Sequence, residues 1–170
     1  MRARYLSKRD AAALAERLRA IPWGRVLRER KPRVALEIIE GDIKLYKIGG
    51  FLFADREGIL FPVLDEQRNK MVLDILPSII VDMGAVPHIA NGADVMRPGV
   101  REVKKSFNVG ELLVVRDERH LKPLAIVRAL VDYETFSGMA KGKVAENLHH
   151  VDDKIWKILR KAQHLLERGL

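Results

Sequence analysis

The sequence predicts an α+β protein in three parts. These are a small α+β unit over residues 1–76, a small mostly-β barrel over 77–153, and a C-terminal amphipathic helix over 154–170. Three observations predict it. After residue 34, short runs of β-forming residues are punctuated by glycines, the pattern of a small antiparallel sheet. At Pro77 the texture changes to a strand, a small-residue helix and then several strands at short spacing. In the last residues, Ile155, Ile158, Leu159, Ala162, Leu165 and Leu166 form one apolar stripe at helical spacing.

Each element has its own signal. Ser7 followed by Asp10 resembles a capping box with Asp in place of Glu or Gln. Ala11, Leu14, Leu18 and Ile21 then recur at helical spacing, and Pro22-Trp23-Gly24 ends the helix. "GRVLRERKPR" is a second basic segment, closed by Pro32. "VALEIIEG", "DIKLYKIGG" and "FLFADREGILFPVL" read as the strands of the sheet, and "LDEQRNKMVLDIL" as a short helix or connector. Beyond Pro77, "SIIVD" reads as a strand, and a helix lies between Gly84 and Gly92. Proline fits only the first turn of a helix, so Pro87 places its start near Met83 or Gly84. "ELLVVRD" and "LAIVRALVD" are strands joined by the polar turn "ERHLKP", and "KVAENLHHV" is the last strand. Asp152-Asp153 falls where the N-cap of the terminal helix is expected. That helix docks either on its own core or on a partner.

Composition bounds the function. At 170 residues, 48% hydrophobic and 32% charged, the chain can bury a core as one domain or two small ones. No run of about 18 apolar residues is present, so no membrane span is expected. The basic N-terminus has no following apolar stretch and is not expected to be a signal peptide. The lack of cysteine removes disulfides and fits a cytoplasmic protein. Few Asn and Gln beside many charges fit a thermophile. The net charge of +8 is uneven: residues 1–33 carry eleven Lys and Arg against three acids, which is the whole excess. A concentrated basic region attracts polyanions, so Arg28, Arg30, Lys31 and Arg33 form a candidate docking face.

No catalytic constellation stands out. There is no phosphate-binding glycine loop, no G-x-G-x-x-G and no G-x-S-x-G. No enzyme activity and no cofactor are expected. The adjacent His149 and His150 point to opposite faces of a strand, so no metal site is expected either.

"GADVMRPGV", "VGELLVVRDE", "PLAIVRAL" and "GKVAENLHHVDDKIW" together resemble a PUA domain, an RNA-binding module. With "REGILFPVL" upstream and "VDMGAVPHIANGADVMRPGV" in the middle, the chain is similar to the malignant T-cell-amplified protein family, related to the N-terminal half of ligatin. The resemblance covers about residues 34 to 156. It implies a pre-PUA domain before a PUA pseudobarrel, and work in translation on the small ribosomal subunit, the tRNA acceptor end, or both. It implies roles in initiation, re-initiation or recycling, with a protein partner such as density-regulated protein. An accessory RNA-binding subunit of an RNA-modifying enzyme is the alternative.

PUA modules bind RNA beside the short helix, and the resemblance therefore points to specific residues. Gly92 can take a positive φ and let a sugar-phosphate approach. Arg97, Arg101, Lys104 and Lys105 can contact phosphates. Met96 offers a surface for a base, and Pro98-Gly99 fixes the turn that presents Arg97. Gly142 and Lys143 can approach a phosphate. Asn147 or one of His149 and His150 can hydrogen-bond a base edge or a 2′-hydroxyl. Bland roles fit as well: Gly92 as a helix cap, Lys104 and Lys105 for solubility, Asn147 and one histidine as ties between the last strand and the barrel.

Overall fold

The computed structural model describes residues 1–27 and 34–168. Two compact units make up the fold. One comprises Met1–Ile75 together with Lys157–Leu170, and the other Leu76–Trp156. The body of the terminal helix thus belongs with the first unit.

In the first unit, Ser7 accepts a hydrogen bond from the Asp10 amide at 3.0 Å and caps helix α1 (Lys8–Arg19). Ala11, Leu14, Ala15 and Leu18 form its buried face. A 3-10 turn over Pro22–Leu27 follows and places Trp23 against Phe53, with ring centroids 5.3 Å apart. Strands β2 (Ala35–Glu40), β3 (Ile43–Ile48), β4 (Phe51–Arg56) and β5 (Ile59–Pro62) form an antiparallel meander. Strand β1 (Arg2–Tyr5), which sequence reading missed, adds to the β2 edge. All four of its residues are exposed, so it carries no alternation to betray it. Helix α2 (Glu66–Ile75) is anchored by the fully buried Asn69. Its side chain bonds the Leu52 amide and carbonyl and the Val63 carbonyl. The C-terminal helix α5 (Lys154–Leu166) is held in this unit by Lys161 on Glu40 at 3.0 Å and by the buried Lys47 ammonium donating to the Leu166 carbonyl.

The second unit contains one curled sheet in the order β7-β11-β10-β9-β6-β8. The strands are β6 (Ser78–Val81), β7 (Val95–Met96), β8 (Val100–Lys104), β9 (Leu112–Asp117), β10 (Pro123–Ala129) and β11 (Lys143–His150). Only β6 and β9 pair in parallel. Geometry forces closure. Five strand spacings would separate the outer strands by about 24 Å in a flat sheet. Yet β7 and β8 are joined by the single 3-10 turn Arg97–Gly99, whose four Cα steps reach no more than about 15 Å. The sheet must therefore curl into a barrel with this turn as its seam. The core is largely aliphatic, with Ile79, Val81, Leu113, Val115, Val127 and Val144 inside, joined by Phe107 and Phe136. Helix α3 (Val86–Ala90) has Pro87 in its first turn and starts two residues later than Gly84. A further helix, α4 (Tyr133–Gly138), is capped by Asp132.

Candidate nucleic-acid interface

The sequence-derived candidates fall into two groups, one along β7 and β11 and the other on β8, on either side of the closing turn. The first group sits where the chain after α3 runs antiparallel to β11. Val95 pairs with Ala145, and Met96 with Lys143. One step on, the Asp94 carboxylate accepts the Asn147 amide at 2.9 Å. At the far end, Gly92 lies against His150. The result is a seam along which Met96, Lys143, Asp94, Asn147, Gly92 and His150 follow one another. Met96 is 46% exposed, a large apolar side chain left in solvent. Lys143 is exposed beside it, 3.2 Å from Asp94.

Next to the seam, between α3 and the closing turn, lies a groove of about 390 Å³. Its walls are mostly apolar and include Val81, Ala85, Ile89, Val95, Met96 and Pro98. Two carboxylates reach it, and both are engaged. Asp82 accepts the Ala85 amide at 2.8 Å and faces Arg101, while Asp94 holds Asn147 and Lys143. Gly99 fits because a Cβ there would stand 3.0 Å from that of Ala85.

The second group lies on and just after β8. Glu102 and Lys104 pair with Ile80 and Ser78, and Arg101 occupies the register shift between them and Val100. Arg101 faces Glu118 at 3.6 Å and Asp82 at 3.9 Å, so its charge is partly offset. Lys104 and Lys105 are exposed, and Lys105 has a left-handed backbone with φ of 72°.

Several expected roles change. The Gly92 backbone has φ of 93°, as the expected positive φ requires. It offers no donor to a phosphate, however, since the amides of Gly92 and Ala93 close the end of α3 on the Ile89 and His88 carbonyls. The space a side chain would need there is filled by the His150 ring, with Nε2 3.1 Å from an added Cβ. Arg97 is turned away from the groove onto α4. Its guanidinium lies 4.3 Å from the centre of the Phe136 ring, and Nε donates to the Phe136 carbonyl at 3.3 Å. Gly142, with φ of 106°, accepts the Arg97 amide at 2.8 Å and so fixes the seam turn. The Asn147 amide nitrogen donates to the Ile89 and Ala93 carbonyls, which ties α3 to β11 and leaves its buried Oδ1 without a partner among the described residues.

His149, one of the two histidines offered as an RNA contact from sequence, is fully buried, so a contact there is corrected. Its Nδ1 meets the Asp153 carboxylate at 2.7 Å. Burial alone would raise the Asp153 pKa, but bonds from His149 and from the Trp156 and His150 amides outweigh it and hold the carboxyl below its usual range. It is His150 that faces outward. A bulge in the β10–β11 pairing, between Ile126 and Val127, puts Asn147 and His149 on successive partners and decides which histidine goes inside. Alternation shows that one of the two must be internal, not which. The groove residues Asp82, His88 and Ile89 were also missed, since only the curled sheet brings them to one place.

Arg28, Arg30, Lys31 and Arg33 lie outside the described residues. Of the other N-terminal cations, Arg4 pairs with Glu37 at 2.6 Å and Arg17 with Asp55 at 2.7 Å, which partly offsets the local excess. Among the described residues, no three His, Cys, Asp or Glu side chains group as a metal site, and no helix is long and apolar enough to cross a membrane.

Residues 77–151 match the PUA domain, which agrees with the curled sheet, the seam turn and the short helix beside it. The molecule is thus a PUA-domain protein. An uncharacterized protein of Methanocaldococcus jannaschii is 36% identical over 110 residues, covering 62% of this chain and 68% of that one. Translation machinery-associated protein 20 of Saccharomyces cerevisiae is 26% identical, covering 75% and 73%. Malignant T-cell-amplified sequence 1 of Rattus norvegicus is 26% identical, covering 79% and 76%. A hypothetical protein of Pyrococcus horikoshii has a crystal structure that superposes with a TM-score of 0.74 at 28% identity, over 92% of this chain and 99% of that one. The chain belongs to the malignant T-cell-amplified protein family.

Proposed function

We propose that this protein is a non-enzymatic RNA-binding factor of translation, acting on the small ribosomal subunit, the tRNA acceptor end, or both. The observation that carries the reading is the seam: an exposed methionine and an exposed lysine side by side, next to an apolar groove whose two acids are already engaged. An apolar surface takes a base, and a lysine beside it takes the adjoining phosphate. Relatives named for the translation machinery support the setting. On this reading Lys104 and Lys105 add phosphate contacts along β8. The basic segment with Arg28, Arg30, Lys31 and Arg33 docks on ribosomal RNA or on an acidic protein partner of the kind represented by density-regulated protein.

Sedimentation of cell extract tests the setting. Comigration of the full chain with small subunits is the expected result, and comigration with an RNA-modifying enzyme would replace the reading by that of an accessory subunit. Incubating the pure protein with tRNA should leave nucleoside composition unchanged; a new modified nucleoside would overturn the non-enzymatic assignment.

A further inference from the structure

We propose that the rim where His150 packs on Gly92 selects ribose, with Nε2 of His150 accepting a hydrogen bond from a 2′-hydroxyl. The inference rests on the seam being an RNA track and adds the residue that reads the sugar.

His150 Nδ1 lies 2.8 Å from the Val151 carbonyl oxygen. A carbonyl only accepts, so Nδ1 carries the proton, and in the neutral ring Nε2 is left as an acceptor. The ring is also fixed in place. It occupies the volume that a Cβ at residue 92 would need, Nε2 at 3.1 Å and Cδ2 at 3.4 Å, so a side chain there would press on the ring. Gly92 is exposed and His150 half-buried.

The polar character of this rim then chooses the ligand group. The backbone amides of Gly92 and Ala93 are used inside α3 and offer nothing to an anion. What the rim offers is the Nε2 acceptor of His150, and an acceptor calls for a donor. The phosphodiester has none, whereas the ribose 2′-hydroxyl is one, and DNA lacks it. The phosphate is left to Lys143, further down the strand beside Met96.

The test compares binding of one single-stranded oligonucleotide, made as ribose and as deoxyribose, to the full-length chain and three variants. The parent should prefer the ribose strand by about tenfold, the worth of one hydrogen bond. His150→Phe keeps a ring against Gly92 but removes Nε2, and should bring the ribose affinity down to that of the deoxy strand. His150→Gln restores an acceptor at that distance and should recover part of the preference, which guards against a folding artefact in the Phe variant. Lys143→Glu should weaken both strands alike. If Lys143→Glu weakens both while His150→Phe leaves the ribose preference intact, the inference is wrong and the seam reading stands. If His150→Phe weakens both strands equally, the histidine reads a base amine rather than the sugar, and the proposal falls. If Lys143→Glu changes neither, the seam is not the track, and both fall.

Discussion

At Asp153 one carboxylate holds three groups: the buried His149 ring, the His150 amide and the Trp156 amide that opens the last helix. Its pKa lies below the usual carboxylate range, so the unfolded chain takes up a proton at higher pH than the folded one. The contribution to stability is therefore complete above the unfolded pKa of about 3.9 and is lost as pH falls through the folded value. Urea unfolding of parent and Asp153→Ala should differ by roughly 1.5–3 kcal/mol at pH 7 and converge in strong acid. A gap that persists at pH 2 would mean that packing, not charge, is what Asp153 supplies. Arg97 works at the same scale. Its stack on Phe136 predicts that Arg97→Ala loses stability by about 1 kcal/mol, where a simple phosphate contact would lose only affinity. Melting curves beside RNA titration separate the two, and Arg97→Lys, which keeps the charge without the planar stack, should melt like the alanine variant.

Among the elements, the seam turn and α2 show how a few side chains position much larger pieces. Gly99 allows the turn to press on α3, with only 3.0 Å available to an added Cβ opposite Ala85. Gly99→Val should force α3 from the turn and cost on the order of 1–3 kcal/mol. The amide signals of residues 82–99 should shift most in an NMR spectrum, and shifts confined to Val100 and Pro98 would contradict the account. Asn69 does similar work in the first unit, where it satisfies three backbone groups of β4 and the segment after β5. Asn69→Leu keeps the volume but strands those groups, so it should destabilise by on the order of 3 kcal/mol in chemical denaturation.

For the whole molecule, the question is where its charge acts. The +8 excess lies in residues 1–33, where Arg4 and Arg17 already meet acids of the sheet, and Arg28, Arg30, Lys31 and Arg33 are the proposed docking set. Changing all four to Gln should weaken small-subunit association in sedimentation with little change in melting temperature; unchanged association at physiological salt would remove the proposal. Lys104→Ala with Lys105→Ala should weaken binding to all RNAs alike. It should also flatten the dependence of log K on log salt by about one to two units, which a salt titration reads directly.

The sequence by itself determined the elements whose pattern is local. Strands β2 to β5 show in β-forming runs broken by glycines, α1 in Ser7 and its apolar spacing, and α5 in a stripe that ends buried at Ile155, Ile158, Ala162 and Leu166. The positive φ at Gly92 was legible for the same reason, because a helix end demands it within a few residues. Strand β1 was not legible, because an exposed edge has no buried face to imprint on its residues, and the two-residue β7 is too short for any period. Tertiary structure alone decided which histidine faces out, since a bulge on β11 shifts the register by one residue and exchanges inside for outside. It alone turned Arg97 onto Phe136 and brought Asp82, Ile89 and Met96 to one groove. Those outcomes depend on the closure of a six-stranded sheet, in which residues far apart in sequence meet through strand pairing, and no local pattern of polarity records such a meeting.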